Sequence, residues 1–314
     1  TEGLAKRGHQ VTVVAPEGSL LSPEIEVIQG PLRESEEQTW QRYRGRLETG
    51  EWEAVLDSSW ERWANISNLG RDPQLPIVNW HHSAESVYSS SPDVQYPLWV
   101  GISRSHAEAL GRHFQMPVRL VYNGIDLDVY KPAANKTRGG RYLWLARWTT
   151  EKGPAEVISL AKKLRVGLDM FGDQEVIGDR AYLDRCMREV DGLRVRASGG
   201  ISRLQTVEEY STHKGMLQWF NWKEPFGLTV IEAMACGCPP ICARSGGVAE
   251  TIRDGVTGFL VDDMEQMAEL VKRDAVKEIS VEAMRRHVEE NFGLGTFVDR
   301  WEKLLQAVVS GERW

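Results

Sequence analysis

The chain has 314 residues, a formal net charge of −7 and 41% hydrophobic residues. This length exceeds that of one typical domain, so we expect two domains. The acidic balance argues against a protein that binds nucleic acid by charge, although it is compatible with a small phosphorylated ligand in a local positive pocket. The sequence also lacks an apolar stretch of about 18 residues, which argues against a transmembrane helix.

The first half of the chain alternates short apolar segments with helical stretches. Residues 2–8 are typical of the end of an amphipathic helix, and residues 9–15 of a buried parallel strand. A Rossmann-like half begins with a strand and a glycine-rich loop before such a helix, and we expect both to be missing from this sequence. Further strands are predicted at residues 54–56, 77–80, 98–102 and 119–121.

Residues 131–140 (KPAANKTRGG) show no periodicity and are rich in proline, glycine, asparagine and lysine, so we predict the interdomain linker here. The alternation of strands and helices then restarts. Strands are predicted at 142–146, 167–171, 193–196, 215–219 and 240–243, and helices at 154–164, 179–190, 205–213, 228–235 and 248–252. Two such series predict two doubly wound α/β domains that face each other across a cleft, and two or three amphipathic helices end the chain.

Three of the four cysteines (Cys186, Cys236, Cys238 and Cys242) lie in the segment CGCPPIC. A zinc site is one interpretation, but the sequence has no CxxC pair and no second cluster that could supply ligands. We therefore favour small buried thiols. Sparse cysteines and the lack of a recognisable signal peptide predict a cytoplasmic protein.

Two glutamates, Glu224 and Glu232, flank a turn that opens a helix in the segment EPFGLTVIEAMACG. A proline and a glycine interrupt the structure before this helix, and a glycine and two prolines end it. The backbone N–H groups of Gly227, Leu228 and Thr229 would lie unpaired at the helix start, where the helix dipole attracts anions. The carboxylates would accept hydrogen bonds from hydroxyl groups, so the pattern predicts a site for a polyhydroxylated, anionic ligand.

Arg147 and Lys152 follow the strand predicted at 142–146. Ligands of open α/β sheets bind at the carboxyl ends of the strands, and an arginine and a lysine five residues apart on such a loop can converge on one diphosphate. The alternative is an ordinary pair of surface cations after a strand.

The order of these motifs resembles the retaining glycosyltransferases of family four, which have the GT-B fold. Arg147-x4-Lys152-Gly153 and the segment EPFGLTVIEAMACG carry the strongest likeness. Further family motifs are NGID at 123–126, FGD at 171–173, SGGVAE at 245–250 and DGVTG at 254–258. The likeness covers nearly all of the chain; it is strong from residue 120 to 262 and weak between 16 and 95.

The resemblance implies an acceptor-side Rossmann-like domain over residues 1–132 and a nucleotide-sugar-binding one over 133–295. It also implies that a last helix within 296–314 crosses back onto the first domain. The predicted function is transfer of a hexose, with retention of configuration and without a metal, from a UDP-linked donor to an acceptor hydroxyl. The alternative is a non-catalytic GT-B subunit that binds a nucleotide or a partner protein.

The resemblance also implies roles for individual residues. Arg147 and Lys152 would neutralise the leaving diphosphate, Glu224 would bind the transferred sugar and Glu232 the ribose of the nucleotide. The remaining predicted donor contacts are Phe226, Gly227, Leu228, Thr229, Gly172 and Ile201. The alternative for Glu232 is a helix glutamate that faces solvent, and for Glu224 an ordinary loop carboxylate.

A histidine of the first domain is the remaining catalytic candidate. Residues 76–83 (PIVNWHHS) resemble a family strand whose histidine enters the cleft and meets the sugar, and the count from Pro76 reaches His82. Adjacent residues of a strand face opposite ways, so His81 and His82 cannot both point inward if the strand persists. We favour His82, with His81 and a purely structural histidine as alternatives.

Two acidic pairs could be interpreted as metal ligands: Asp126 with Asp128, and Asp262 with Asp263. We predict no metal, because cations and helix amides do that work in the resembled family, and no cofactor beyond the nucleotide-sugar substrate. The acceptor, which could be a small molecule, a glycan or a glycolipid, is not fixed by the sequence. Nucleic acid is not expected as a partner, and a peripheral membrane contact stays open.

Overall fold

The computed structural model describes residues 1–31, 34–47, 52–59, 75–80, 82–83, 98–134, 137–173 and 179–314. The chain forms two compact units, one made of Thr1–Tyr122 with Leu294–Trp314 and the other of Asn123–Gly293. The pairing between strands is parallel throughout the described sheets. The predicted α/β class with parallel sheets is therefore confirmed.

The first unit contains a two-stranded and a four-stranded parallel sheet. Its strands are β1 (Thr12–Pro16), β2 (Glu26–Gly30), β3 (Val55–Asp57), β4 (Ile77–Trp80), β5 (Leu98–Gly101) and β6 (Val118–Leu120). The orders are β1-β2 and β3-β4-β5-β6. Its helices before the second unit are α1 (Glu2–Ala5), α2 (Glu36–Leu47) and α3 (Arg104–Phe114). The strand predicted at 77–80 has its predicted bounds, β1 begins three residues after its predicted start, and the others shift by one residue.

The last helix of the chain, α11 (Leu294–Val309), completes the core of the first unit. Its Trp301 and Val308 are buried in one cluster with Val78 and Val100 of the sheet. The apolar residues of α11 follow a helical period, so one face of the helix is apolar and covers the sheet.

The second unit is built around a six-stranded parallel sheet of order β12-β11-β10-β7-β8-β9. These strands are β7 (Tyr142–Leu145), β8 (Leu168–Phe171), β9 (Val195–Ser198), β10 (Gly215–Gln218), β11 (Pro240–Ala243) and β12 (Phe259–Val261). The helices are α4 (Pro154–Leu164), α5 (Arg180–Arg188), α6 (Arg203–Thr212), α7 (Leu228–Ala235), α8 (Val248–Thr251), α9 (Met264–Lys272) and α10 (Val281–Phe292). Helices 154–164 and 228–235 and strand 240–243 were predicted with these bounds.

Two strands were missed by the sequence analysis. The strand β2 has only one buried residue, Gly30, so its apolar pattern is weak. The strand β12 is three residues long and follows a segment with strong turn signals. Short strands of this kind are recognised from their neighbours in the sheet rather than from their own sequence.

The segment before the predicted linker is bound to the second unit. Ile125 donates to the carbonyl of Phe292, and Arg285 donates to the carbonyls of Leu127 and Tyr130. The chain therefore passes between the units at Tyr122 and again at Gly293, whereas the sequence analysis placed these boundaries at residues 132 and 295.

Within the described residues, no helix is both long enough and apolar enough to cross a membrane.

Candidate functional site

The candidate site lies where the strand order of the second unit reverses. From the central strand β7 the chain continues to β8 and β9 on one side, and it later returns to β10 on the other side. Ligands of open α/β sheets bind at such a switch point, outside the carboxyl ends of the strands. The loops that leave β7 and β10 at this point carry the predicted residues Arg147, Lys152 and Glu224.

A short 3-10 turn, Thr150–Lys152, presents Lys152 after strand β7. The turn ends at Gly153, whose φ of +56° places it in the left-handed region. A Cβ at Gly153 would lie 2.8 Å from the carbonyl oxygen of Trp219, so this turn packs closely against the loop that follows β10. Arg147, in contrast, is exposed, and its guanidinium forms no hydrogen bond or ion pair with any residue in the described ranges.

Lys152 and Glu224 meet in the structure although they are far apart in the sequence. The Lys152 Nζ lies 2.5 Å from the Glu224 Oε2, and the side chains are only 15% and 10% exposed. The indole Nε1 of Trp222 donates to the same carboxylate oxygen at 2.8 Å. Both protein donors therefore use one oxygen of Glu224.

The backbone of Glu224 is held by the SGGVAE segment. The amide of Gly247 donates to the Glu224 carbonyl at 2.7 Å. A Cβ at Gly246 would lie 2.2 Å from the same carbonyl oxygen, so only glycine permits this approach. The Ser245 hydroxyl is hydrogen bonded to the Trp222 carbonyl and also accepts from the Glu224 amide at 3.4 Å. This family motif, to which the sequence analysis gave no role, supports the site glutamate.

The start of helix α7 leaves backbone donors available, as the sequence predicts. Gly227 occupies the N-cap position with a φ of +92°, and no side chain caps the helix. The amides of Gly227, Leu228 and Thr229 have no acceptor within the described part of the chain. Phe226 is buried at 2% exposure, so its ring contributes to the core rather than to the surface of the site.

Glu232 lies one turn inside α7 and is half-buried. Its Oε2 accepts a hydrogen bond from the hydroxyl of Tyr210 at 3.1 Å. Burial raises the pKa of the Glu232 carboxyl, and hydrogen bonds from Tyr130 and Tyr210 and the charge of Arg203 oppose this shift. The carboxylate of Glu232 is thus held by protein donors and is not fully exposed to solvent, and its role in binding stays a prediction.

The other predicted donor contacts lie on neighbouring loops. Gly172 follows β8, and a Cβ there would lie 1.8 Å from the carbonyl oxygen of Ala146, so glycine is required for the close packing of two loops. Ile201 follows β9 and is half-buried. These residues share the sheet edge with Lys152 and Glu224, but no contact in the described structure joins them to that pair.

His82 follows β4 in the first unit and is exposed by surface area. Its ring centroid lies 4.4 Å from that of Trp80. The pKa of His82 is lowered to about 4, mainly because the ring is partly removed from bulk water and to a smaller extent because His106 is near. The ring is therefore neutral at pH 7. His81 lies outside the described residues, and the preference for His82 stays a prediction.

The acidic pairs have structural partners. Asp126 accepts from the amide of Asp128 at 2.8 Å, Asp262 pairs with Arg244, and Asp263 caps helix α9. In the part of the chain that the structure describes, no group of three or more His, Cys, Asp or Glu residues is arranged to hold a metal ion.

The four cysteines are free and buried, so the prediction of buried thiols is confirmed. Burial raises the pKa of Cys236 and of Cys238 to about 12, which keeps both thiols protonated at neutral pH.

A family model described as "Glycosyl transferases group 1" matches residues 131–291, which is half of the chain. The chain belongs to this family. The match includes the Lys152 turn, the Glu224 loop and helix α7, so the site lies inside the region that defines the membership.

Two curated relatives of this chain are D-inositol 3-phosphate glycosyltransferases. The protein from Catenulispora acidiphila is 26% identical over 221 residues, which cover 62% of this chain and 53% of the relative. The protein from Mycobacterium tuberculosis is 29% identical over 179 residues, which cover 50% of this chain and 36% of the relative. The matches therefore span about half or less of the length of these relatives.

Solved structures share the fold of this chain. Sucrose-phosphate synthase from Thermosynechococcus elongatus has a TM-score of 0.78 at 19% identity, with 99% of this chain and 92% of that chain covered. Alr3699/HepE from Anabaena, in complex with UDP and glucose, has a TM-score of 0.70 at 16% identity, with coverage of 90% and 86%. The predicted GT-B fold with two Rossmann-like units is confirmed by these likenesses.

Sequence reasoning missed several residues of the site. Tyr130 and Tyr210 are distant from Glu232 in the chain, and neither was predicted. Trp222 was a candidate only because it flanks the motifs, and its hydrogen bond to Glu224 was not predicted. A hydrogen-bond partner on another helix or loop can be identified only from the tertiary structure, which brings the two segments together. The position of Trp222, two residues before Glu224, was the one available signal.

Proposed function

We propose that this chain transfers a sugar from a nucleotide-sugar donor to an acceptor hydroxyl group. The observation that carries the proposal is the joining of Lys152 and Glu224, at 2.5 Å, beside the unpaired amides of helix α7 at the sheet's switch point. Family membership supports the activity, and the resemblance of the motifs supports the residue roles. The exposed Arg147 supplies a second cation on the same loop as Lys152.

The diphosphate of the donor would bind at the start of α7. The amides of Gly227, Leu228 and Thr229 and the helix dipole favour an anion there, and Arg147 and Lys152 add positive charge. As the bond between the sugar and the diphosphate breaks, negative charge grows on the leaving phosphate. Cations already in place then stabilise the transition state more than the ground state.

The two glutamates would bind hydroxyl groups on opposite sides of the diphosphate. Glu224 would accept hydrogen bonds from the transferred sugar, and Glu232 from the ribose. The hydroxyl of Tyr210 at 3.1 Å, together with Tyr130, holds the Glu232 carboxylate in place. The proposed contact of His82 with the sugar is supported by the resemblance alone.

The finer parts of the proposal are a UDP-linked hexose donor, retention of configuration and independence from metal. The resemblance to family four supports all of them, and the known complex of Anabaena HepE with UDP and glucose supports the donor. In a retaining transfer without an enzyme nucleophile, the acceptor attacks the face from which the phosphate departs. The acceptor proton then passes to that phosphate, so no further base is needed. Four free cysteines favour a reducing compartment, and we propose the cytoplasm.

Calorimetric titration with UDP, GDP, ADP and dTDP, and then with the matching hexose donors, tests this function. We expect UDP to bind most tightly, and we expect its affinity to fall about tenfold or more in Lys152→Ala and Glu232→Ala variants. Glu224→Gln should keep UDP binding but lower sugar transfer or donor hydrolysis by about 10²–10³-fold. Binding of no nucleotide, or unchanged turnover in Glu224→Gln, would contradict the proposal. Nucleotide binding without any turnover of a donor would favour the non-catalytic alternative.

A further inference from the structure

Trp222 touches both members of the Lys152–Glu224 pair. The edge of its indole ring donates from Nε1 to the Glu224 Oε2 at 2.8 Å. The Lys152 Nζ lies 5.0 Å from the centroid of the Trp222 ring, a distance that permits a cation–π interaction. Phe220 adds a second ring, with its centroid 5.7 Å from the same nitrogen. One side chain therefore contacts the carboxylate by its edge and the ammonium by its ring.

The loop that carries Trp222 is itself fixed. Ser245 is hydrogen bonded to the Trp222 carbonyl. Asn221, the residue that precedes Trp222, donates from Nδ2 to the Thr150 carbonyl and to the Glu156 carboxylate, both at 2.8 Å. The Asn221 amide also donates to the Glu151 carbonyl at 2.9 Å. These bonds tie the loop after β10 to the turn that carries Lys152, so the position of the indole ring is set from both sides.

The geometry of the carboxylate has a consequence for ligand binding. Lys152 and Trp222 both donate to Oε2, and Oε1 of Glu224 has no hydrogen-bond partner in the described part of the chain. A carboxylate oxygen can accept more than one hydrogen bond, so Oε1 is the atom left for a hydroxyl group of the sugar. Rotation of the carboxylate would move Oε1 away from that hydroxyl.

A diphosphate bound at the start of α7 would compete with Glu224 for Lys152. If Lys152 moved toward the phosphate, Glu224 would lose its cation, and the indole N–H of Trp222 would remain as its described side-chain donor. A carboxylate that is only 10% exposed needs such a donor to keep a fixed orientation.

We propose that Trp222 is a positioning residue that holds Glu224 in its sugar-binding orientation while Lys152 transfers from the carboxylate to the donor diphosphate. The aromatic face of Trp222, together with Phe220, keeps Lys152 beside the diphosphate. This inference rests on the proposed function, because it assumes that Glu224 binds the sugar and Lys152 the phosphate.

Variants of Trp222 separate the two contacts. Trp222→Phe removes the N–H group and keeps an aromatic ring, whereas Trp222→Leu removes both. We expect Trp222→Phe to bind UDP-glucose about 10- to 100-fold more weakly and to lower kcat/KM for its turnover similarly, because one hydrogen bond to a charged group is lost. Its affinity for UDP, which has no sugar for Glu224 to hold, should change less than about threefold. Trp222→Leu should weaken UDP as well, since Lys152 loses an aromatic face.

Trp314→Phe is a matched control in the first unit. Trp314 also donates from Nε1, to the Trp99 carbonyl at 3.0 Å, and its ring also stacks with a cation, Arg119. This control should leave the affinities for UDP and UDP-glucose unchanged. Thermal unfolding of each variant reports whether the second unit remains folded.

The results distinguish failure of this inference from failure of the proposed function. If Trp222→Phe keeps UDP-glucose affinity within about twofold while Glu224→Gln loses it, the role of Trp222 is wrong and the function stands. An equal loss of UDP and UDP-glucose affinity in Trp222→Phe would mean a merely structural role and would also contradict the inference. If Glu224→Gln and Lys152→Ala leave binding and turnover unchanged, or the wild-type chain binds neither ligand, the proposed function fails, and the inference with it.

Discussion

At the scale of single residues, the site is organised by buried polar side chains that share partners. Glu224 is 8% exposed and receives Lys152 and Trp222 on one oxygen, and Glu232 receives the hydroxyl of Tyr210. Burial raises the pKa of the Glu232 carboxyl, and the hydrogen bonds from Tyr130 and Tyr210 oppose that shift. The site thus holds two carboxylates ready for ligand hydroxyl groups within a largely buried environment.

The contribution of the Tyr210 hydroxyl to nucleotide binding should be measurable. Tyr210→Phe removes the hydrogen bond to Glu232 and leaves the buried ring in place. We expect UDP to bind about tenfold more weakly, because a carboxylate without this donor is less ordered and more easily protonated. Calorimetry with UDP at pH 7 measures the change. Tyr43→Phe, in the first unit, is the control, and equal affinities for Tyr210→Phe and wild type would refute the role of this hydroxyl.

At the scale of elements, the turn before helix α7 decides whether the anion site exists. Gly227 has a φ of +92°, and a Cβ there would lie 2.7 Å from Cγ2 of Val248. Helix α7 is otherwise an apolar helix with buried residues along most of its length, so it packs between the sheet and its neighbours without help from this turn. Gly227 is therefore needed for the backbone conformation at the start of helix α7 rather than for the packing of the helix.

Substitution of Gly227 by alanine tests this element. We expect Gly227→Ala to reduce the free energy of unfolding by about 1–3 kcal/mol, because the new Cβ is strained by both the backbone angle and Val248. UDP affinity should fall in the same variant. Gly295→Ala in helix α11, where a Cβ meets nothing within 4 Å, should be neutral or stabilising. Urea denaturation compares the two, and similar unfolding midpoints would contradict the strain at Gly227.

A second contact between elements, the one made by Asp169, predicts how the stability of the second unit depends on pH. Asp169 in β8 receives Arg141 at 2.7 Å and His213 at 3.0 Å. Although burial raises its pKa, hydrogen bonds from His213 and Arg141 hold the pKa of Asp169 at about 2, below its usual 3.8. The folded pKa is lowered, so this stabilisation is present above pH 3.8 and is lost as the pH falls toward 2.

Asp169→Asn should therefore lower the free energy of unfolding at pH 7 by about 2 kcal/mol, and the difference from wild type should shrink as the pH falls below about 4. Urea denaturation between acid and neutral pH measures this trend. Asp184→Asn, in an exposed i,i+4 pair with Arg180, should have little effect at any pH. A difference for Asp169→Asn that does not depend on pH would argue against the ionic contribution.

At the scale of the whole molecule, the first unit is made from two ends of the chain. Helix α11 lies after the complete second unit in sequence, yet its Trp301 is 3% exposed within the core of the first unit. The stability of the first unit therefore depends on residues near the end of the sequence, and that of the second unit depends on Asn123–Gly293.

This division predicts that damage to one unit can be separated from ligand binding by the other. Trp301→Ala should destabilise the first unit by about 3–5 kcal/mol, because it leaves a large cavity. UDP binding, which we assign to the second unit, should change little at temperatures where that unit stays folded. Val309→Ala, at a position that is 46% exposed on the same helix, is the control. Calorimetric unfolding with and without UDP tests this, and loss of UDP binding in Trp301→Ala alone would contradict it.

The sequence by itself determined the α/β class, most strands and helices of the second unit, and the motif around helix α7. The reason is that these features are local: apolar periodicity defines the buried strands, and proline and glycine define the ends of α7. Motif order also placed Arg147 and Lys152 after β7 and Glu224 before α7. Weakly apolar or very short strands such as β2 and β12 lacked such a local signal.

Only the tertiary structure decided which of these residues meet. The contact of Lys152 with Glu224 arises because β7 and β10 are neighbours in the sheet although 72 residues separate the two side chains. Trp222, Tyr210 and the SGGVAE glycines join the site through the same packing of loops. Strand order and loop approach depend on the whole unit, and no single stretch of sequence contains them.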